Sequence, residues 1–426
     1  MKLAQKTIVR HEDDGCLLYN GDNGALVRVD HATYHRFFIE KSDKGEGYEE
    51  LRSWLLCRGF LSTDSPSFSP PNPALERAAG LGGFFRLRSQ RSPMNILWAV
   101  TPACNLRCLY CFPDAQAHAK KFQEPTLEQL LGVAKDIIEA KVLRVSLSGG
   151  ECLLLKNIWE LADCLRRAGI TVVMLSNGRA VTERVVERAK SLGIAFGISL
   201  DGPDETINSL SRGPGAYDRS VRALRKLIQS DVPLAAITTI TRYNFEHIER
   251  LVQQLEDLGV ESITFQDLRP FGTPEIYDRT RLTIDQERRL ETLFSRLDAA
   301  HPQIYLQTSE LFFCSAKKTN DRVMQCAAGD HFAYIDFNGD VYPCTALPSF
   351  KLGNLFQGHR LIDLWQTSEN ILELRALKRL PLSALPGCAS CVDEECCDGG
   401  CRGDALFYRG NLYARPSRCL KELGLR

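Results

Sequence analysis

Between residues 95 and 300 the chain alternates two patterns. Short runs that are apolar almost throughout, ILWAVT (96–101), LRVSLS (143–148), TVVMLS (171–176), AFGISL (195–200), LAAITTIT (234–241) and ESITFQ (261–266), are separated by longer amphipathic stretches. Runs of this kind suit parallel strands covered on both faces. The stretches between them carry helical spacing. TLEQLLGVAKDIIEA opens with a Thr126–Gln129 capping box and then sets Leu127, Leu130, Leu131, Ala134, Ile137 and Ile138 at helical intervals. Six such units predict an α/β region over 95–304, a partial (β/α)6 TIM-like barrel.

The flanking regions read differently. In residues 1–62 the runs TIVRH, CLLYN and ALVRVD are separated by DDG and NGDNG, which is hairpin chemistry. The amphipathic segments ATYHRFFIEK and YEELRSWLLCRGF follow, the second ending at Gly59, a C-terminal cap. Together they predict a small strand-strand-strand-helix-helix domain. The Ser/Pro-rich stretch STDSPSFSPPNP marks a linker within 63–94. Residues 305–426 are cysteine-rich and irregular, and read as a small domain whose order depends on bound metal.

Composition narrows the function. The 426 residues are 44% hydrophobic and 25% charged, with 53 basic and 53 acidic side chains. A balanced charge leaves no general footprint for nucleic acid or an anionic membrane. The first residues, MKLAQKTIVR, hold no apolar export core, and no apolar run approaches the ~20 residues of a membrane helix. A cytoplasmic location is the expectation. Sixteen cysteines in such a chain favour metal ligation over disulfides. Ten of them form two patterned groups, whereas Cys16, Cys57, Cys152 and Cys164 stand alone and read as small packing residues.

The first group, Cys104, Cys108 and Cys111 in TPACNLRCLYCF, lies just past the first barrel strand, the edge where chemistry gathers in such folds. Thiolates so spaced can wrap an iron–sulfur cluster. A zinc finger is the alternative and needs a fourth ligand, for which His118 is nearest. CNLRCLYC resembles the C-x3-C-x-aromatic-C signature of radical S-adenosylmethionine (radical SAM) enzymes, with Tyr110 as the aromatic. Matches at the following strand ends strengthen the resemblance. Gly149-Gly150-Glu151 is similar to the family's Gly-Gly-Glu-Pro, with Cys152 in place of proline. Ser176-Asn177-Gly178 resembles the ribose-contacting segment. Ser199 and Asp201 close the fourth strand, and Arg212 follows without the family's usual His-Asp before it, Asn208-Ser209 standing there instead.

The resemblance implies that the three thiolates hold a [4Fe–4S] cluster and that S-adenosylmethionine takes the open iron. Glu151 would receive its ammonium, and Ser199 and Arg212 its carboxylate. Reductive cleavage would then give a 5′-deoxyadenosyl radical, with flavodoxin or ferredoxin as electron donor. No catalytic base is identified: Asp201, Asp267 and Arg269 lie near strand ends, where charges often only orient loops.

The second group runs Cys326, Gly339, Cys344, Cys388, Cys391, Cys397, Cys401 and Cys419. It resembles the SPASM domain of peptide- and protein-modifying radical SAM enzymes at every spacing. Two auxiliary [4Fe–4S] clusters are implied: Cys326, Cys344 and Cys401 on the first, with Cys314 as its upstream fourth ligand, and Cys388, Cys391, Cys397 and Cys419 on the second. Cys396 falls outside the spacing. A pair of zinc ribbons is the alternative. Asn338-Gly339 predicts a type I′ turn, with positive φ at both residues, presenting Cys344 at a strand end.

A SPASM resemblance implies a ribosomal precursor peptide or a protein as substrate, with a thioether or carbon–carbon cross-link as the reaction. The other reaction is oxidation of Cys or Ser to formylglycine, as in anaerobic sulfatase maturation. Those maturases carry an aspartate directly after the cysteine matching Cys344, where this chain has Thr345. The N-terminal module looks like the winged-helix leader-recognition domains of peptide maturases, whose sheet accepts a leader as an added strand; a structural cap on the barrel is the other reading. A non-catalytic iron–sulfur or zinc scaffold is the non-enzyme alternative.

Overall fold

A computed structural model describes residues 3–13, 15–40, 48–61, 90–111, 122–268, 274–308, 326–389, 397, 399–417 and 419. Of the residues singled out above, His118, Arg269, Cys314, Cys391 and Cys396 lie outside these.

The first three strands, β1 (Thr7–Glu12), β2 (Gly15–Asn20) and β3 (Leu26–Val29), form an antiparallel sheet in that order. A helical segment from His31 to Ile39, its second half a π-helix, and the helix Tyr48–Cys57 pack on it. Leu18, Val29, Phe37, Leu55 and Phe60 are the core. Gly59 follows the second helix at φ 71, as a C-terminal cap requires.

The central strands are β4 (Asn95–Thr101), β5 (Arg144–Gly149), β6 (Thr171–Ser176), β7 (Ala195–Ser199), β8 (Leu234–Ile240) and β9 (Ser262–Asp267), all parallel and in sequential order. Each expected run therefore forms a strand, within a residue or so at either end. Their apolar side chains interleave with those of the covering helices in one continuous core around Trp98, Leu147, Met174, Phe196 and Phe265. The Thr126 capping box forms as the sequence requires: Thr126 Oγ1 accepts from Gln129 N, and Gln129 Oε1 accepts from Thr126 N at 2.9 Å.

The sheet does not stop at six strands. β10 (Tyr305–Thr308) pairs parallel with β9. At the other edge β11 (Phe332–Ile335), from the cysteine-rich region, pairs parallel with β4, and β12 (Asp340–Tyr342) and β13 (Gly353–Asn354) continue antiparallel. Trp365 Nε1 donates to Gln90 O at 2.8 Å and Arg375 lies over the Trp365 ring, fastening the region to the start of the barrel.

The turn between β11 and β12 differs from the type I′ expected. Gly339 has φ 81, but Asn338 is not among the residues with positive φ. Asp336 Oδ1 accepts from both Asn338 N and Asp340 N at 2.9 Å, and Gly339 N donates to Asp336 O. An aspartate-anchored turn ending in one left-handed glycine replaces the two-residue loop. Burial pushes the Asp336 carboxyl up to about 6, against the two N–H donors. Its folded value exceeds the unfolded one, so the native chain holds the extra proton and stability falls as pH rises from about 4 to about 6. Asp336→Asn keeps an acceptor oxygen; it should flatten that slope and raise stability at pH 7–8 by at most roughly 3 kcal/mol, read from thermal unfolding across the window.

The small N-terminal sheet docks on the barrel at the end opposite the cysteine loop. Leu17 and Tyr19 pack with Met94 and Leu143, residues that precede β4 and β5. Tyr19 Oη donates to Thr171 Oγ1 at 2.7 Å, and Arg166 Nη1 donates to Gly21 O at 2.7 Å. Among the described residues, no helix is long and apolar enough to cross a membrane.

Candidate iron–sulfur and cofactor site

The cysteine loop leaves the C-terminal end of β4, and the end of β5 holds it there. Gly150 N donates to Thr101 O at 2.7 Å and Glu151 N to Ala103 O at 2.8 Å. A Cβ on Gly149, at φ 124, would meet Thr101 O at 2.2 Å; one on Gly150 would meet Ala103 O at 2.3 Å. The two glycines are thus required by the backbone that leads into Cys104, a reason that no spacing rule supplies. At its far end the loop is tied down by Leu109 N, which donates to Ser211 O at 2.7 Å.

Glu151 is fully buried. It accepts from Asn177 N at 2.9 Å and Leu153 N at 3.3 Å, and burial raises its carboxyl above the ordinary range. Cys152, where the family has proline, starts a short 3-10 turn capped by this same carboxylate, and its buried thiol contacts Leu175 O at 3.4 Å. Asn177, at the end of β6, reaches across: its Nδ2 donates to Asn105 Oδ1 at 2.8 Å and lies 3.8 Å from Cys104 Sγ. Ser176 Oγ accepts from Gly178 N at 3.0 Å.

Asp201, just past β7, is the hub of the other side. It is 0% exposed and accepts from Arg212 Nε at 2.8 Å and Nη2 at 3.2 Å, Ser211 Oγ at 3.0 Å and Thr239 N at 3.0 Å, and from the Tyr110 hydroxyl. Burial alone would lower the Arg212 value, but Asp201 reverses this and keeps the guanidinium charged. Cys108 lies close enough to feel Arg212, Asp201 and the other two thiols; burial dominates and pushes it up to about 11. Ser199 ends β7, half-buried. The structure therefore brings together every sequence-proposed contact except Ser199 in two hydrogen-bonded groups flanking the loop.

The donor set fits a multinuclear cluster. Among the described residues, the Sγ atoms of Cys104, Cys108 and Cys111 do not all lie within 4.8 Å of one another, whereas a tetrahedral zinc ion would draw its sulfurs to about 3.8 Å.

In the C-terminal region Cys326, Cys344, Cys388 and Cys397 pack against one small core with Leu347, Leu374 and Leu385. Cys344, Cys397 and Cys401 each accept a backbone N–H on sulfur, from Ala346 at 3.4 Å, Gly399 at 3.3 Å and Asp404 at 3.4 Å. Arg402 is 3% exposed and within electrostatic reach of Cys326, Cys388, Cys401 and Cys397, yet its Nη2 has no hydrogen-bond partner among the described residues. A buried, unsatisfied cationic donor beside four thiols fits an anionic iron–sulfur cluster. Cys388 also lies near Arg415 and Cys419.

Of the four lone cysteines, Cys152 is buried as expected of a packing residue, Cys164 is half-buried and Cys57 is exposed. Cys16 is buried against two imidazoles, which its sequence surroundings did not signal.

A partial barrel with three spread thiols at the C-terminal edge of its sheet, and a second thiol group beside it, is the frame of an iron–sulfur enzyme. Residues 98–255 match the radical SAM superfamily model, and residues 326–392 match the SPASM iron-sulfur cluster-binding domain. Mycofactocin maturase MftC of Mycolicibacterium smegmatis is 30% identical over 346 residues, 79% of this chain and 85% of the relative. AdoMet-dependent heme synthase of Methanosarcina barkeri is 25% identical over 350 residues, 78% of this chain and 98% of the relative. The crystal structure of Streptococcus suis SuiB bound to precursor peptide SuiA shares the fold with a TM-score of 0.76 at 19% identity, covering 98% of this chain and 99% of that one. The chain belongs to the radical SAM superfamily and carries a SPASM domain. With that membership come a [4Fe–4S] cluster, S-adenosylmethionine and auxiliary iron–sulfur clusters.

Proposed function

We propose that the chain modifies a ribosomally made precursor peptide, forming a thioether or carbon–carbon cross-link. The observation that carries this reading is the three-stranded N-terminal sheet, whose last strand, β3, is an edge with Leu26 exposed. Such an edge can take an extended leader as a fourth strand through main-chain hydrogen bonds. We read this module as winged-helix-like. The relative named as a maturase and the fold shared with the peptide-bound SuiB support it. Thr345 in place of an aspartate weighs against formylglycine formation, the second reading.

We further propose that Cys104, Cys108 and Cys111 hold the S-adenosylmethionine-binding cluster. Glu151 supplies negative charge for the cofactor ammonium, and Ser176 and Asn177 face its ribose. Ser199 and Arg212 meet its carboxylate, Arg212 with the one terminal nitrogen not turned to Asp201. Tyr110, Gly149, Gly150 and Asp201 hold these groups in place. When bound, the cluster and cofactor supply a radical able to take a hydrogen atom from carbon; the protein's residues bind, orient and exclude water. Cys326, Cys344 and Cys401, joined by Cys314, and Cys388, Cys391, Cys397 and Cys419 are the auxiliary ligand sets, and a flavodoxin or ferredoxin supplies the electron.

Co-expression with a short leader-bearing reading frame, if one is found beside the gene, tests the reading. Mass spectrometry should find a leader-bearing peptide lighter by two hydrogens per modified site. An adjacent sulfatase gaining formylglycine would favour the second reading. A reconstituted, reduced enzyme that releases no 5′-deoxyadenosine would leave only a scaffold.

A further inference from the structure

The N-terminal sheet carries three donor side chains that none of the three proposed clusters uses. His11 on β1 and Cys16 on β2 are directly opposed across the hairpin. Cys16 is in turn opposed to Val29 on β3, and His31 follows two residues later, after an extended Asp30. Strand register therefore sets all three on one face. His11 Nδ1 is 3.1 Å and His31 Nδ1 3.6 Å from Cys16 Sγ, and the three atoms lie within 4.8 Å of one another. Cys16 is buried and both imidazoles are exposed.

We propose that His11, Cys16 and His31 form a zinc site in the N-terminal module, independent of the iron–sulfur chemistry and of the peptide reading. With Zn–S near 2.3 Å and Zn–N near 2.0 Å, tetrahedral ligation sets sulfur and nitrogen donors about 3.5 Å apart; the two observed separations bracket that value. A divalent cation gives all three atoms a common partner. A nitrogen-rich set with one thiolate suits zinc among the borderline divalent ions. Among the described residues the neighbouring carboxylates are engaged elsewhere: Asp30 accepts from Thr33 N and Thr33 Oγ1, Glu12 pairs with Arg10 and accepts from Arg91 N, and Asp13 pairs with Arg91 Nε. The fourth position thus falls on the exposed side and goes to water. The ion ties the β1–β2 hairpin to the start of the helical segment at His31, a cross-link of the kind small modules use when their core is limited.

The test uses the reconstituted full-length enzyme, supplied with zinc, washed with a chelator and analysed for zinc and iron together. About one zinc per chain should remain, and X-ray absorption at the zinc edge should report one sulfur near 2.3 Å and nitrogen or oxygen near 2.0 Å. His11→Asn and His31→Asn, both at exposed side chains, should each lose the zinc while iron stays unchanged. Wild-type enzyme that emerges without zinc overturns the proposal. So does an edge spectrum with three or four sulfurs, which places the ion on cluster cysteines, or retention of zinc by both variants. The wild-type spectrum decides even if a variant folds poorly.

Discussion

Gly150→Ala should empty the cysteine loop of iron while the C-terminal cysteines stay loaded. The added methyl would sit 2.3 Å from Ala103 O and 2.7 Å from Pro102 O. Both are backbone atoms, so no side chain can swing away to make room. What must move is the segment entering Cys104, and with it the hydrogen bonds from Gly150 N to Thr101 O and Glu151 N to Ala103 O. A misplacement of about 1 Å at a positioned reactive group is enough to cost on the order of a hundredfold in rate. Iron should fall from about twelve atoms per chain to about eight, the count for two remaining four-iron clusters, and 5′-deoxyadenosine should disappear. Gly132→Ala is the control. It lies in the helix Leu127–Glu139 with nothing within 4 Å of the new methyl, and should gain a few tenths of a kcal/mol up to about 1 from helix propensity. Full iron and undiminished cofactor cleavage in the Gly150 variant would sink the argument.

The same two glycines show what the sequence could and could not tell. Their position at the end of β5 was legible, because an apolar run followed by Gly-Gly-Glu is a one-dimensional pattern. Their contact partner was not: no local pattern names it, and the structure puts the backbone of residues 101–103 there. Strand existence was legible for a similar reason, since burial on both faces makes most residues of β4 to β9 apolar. The pairings of β10 and β11 were not, because edge partners about 40 and about 240 residues away leave no local mark. Asn338-Gly339 looked like a two-residue turn; Asp336, two positions earlier, captures the turn's N–H groups and changes its type. Cys16 looked like a core residue and is one, yet its two imidazole neighbours come from a strand and a helix that only the register brings to it.

Asp201→Ala should destabilise the barrel by about 3–5 kcal/mol. It removes the partner of a guanidinium that is itself 7% exposed, leaving a buried charge with no compensation. Tyr110, Ser211 and Thr239 lose their acceptor in the same step. Asp201→Asn keeps the shape and loses the charge, so its cost should be smaller but still well above 1 kcal/mol. Tyr110→Phe deletes one donor among several and should cost about 1 kcal/mol. The informative variant is Asp201→Leu combined with Arg212→Met. Removing both charges together takes away the desolvation penalty along with the attraction, so chemical denaturation should show the double variant more stable than Asp201→Ala, with the cost of the three orphaned donors remaining. If Arg212 also meets the cofactor, that double variant will fold, keep its iron and still fail to cleave S-adenosylmethionine. Recovery of stability with recovery of cleavage would confine the pair to a structural role. Failure of the double variant to regain stability would show that the loop docked through Leu109 and Ser211 depends on the ions themselves, and not on the volume they fill.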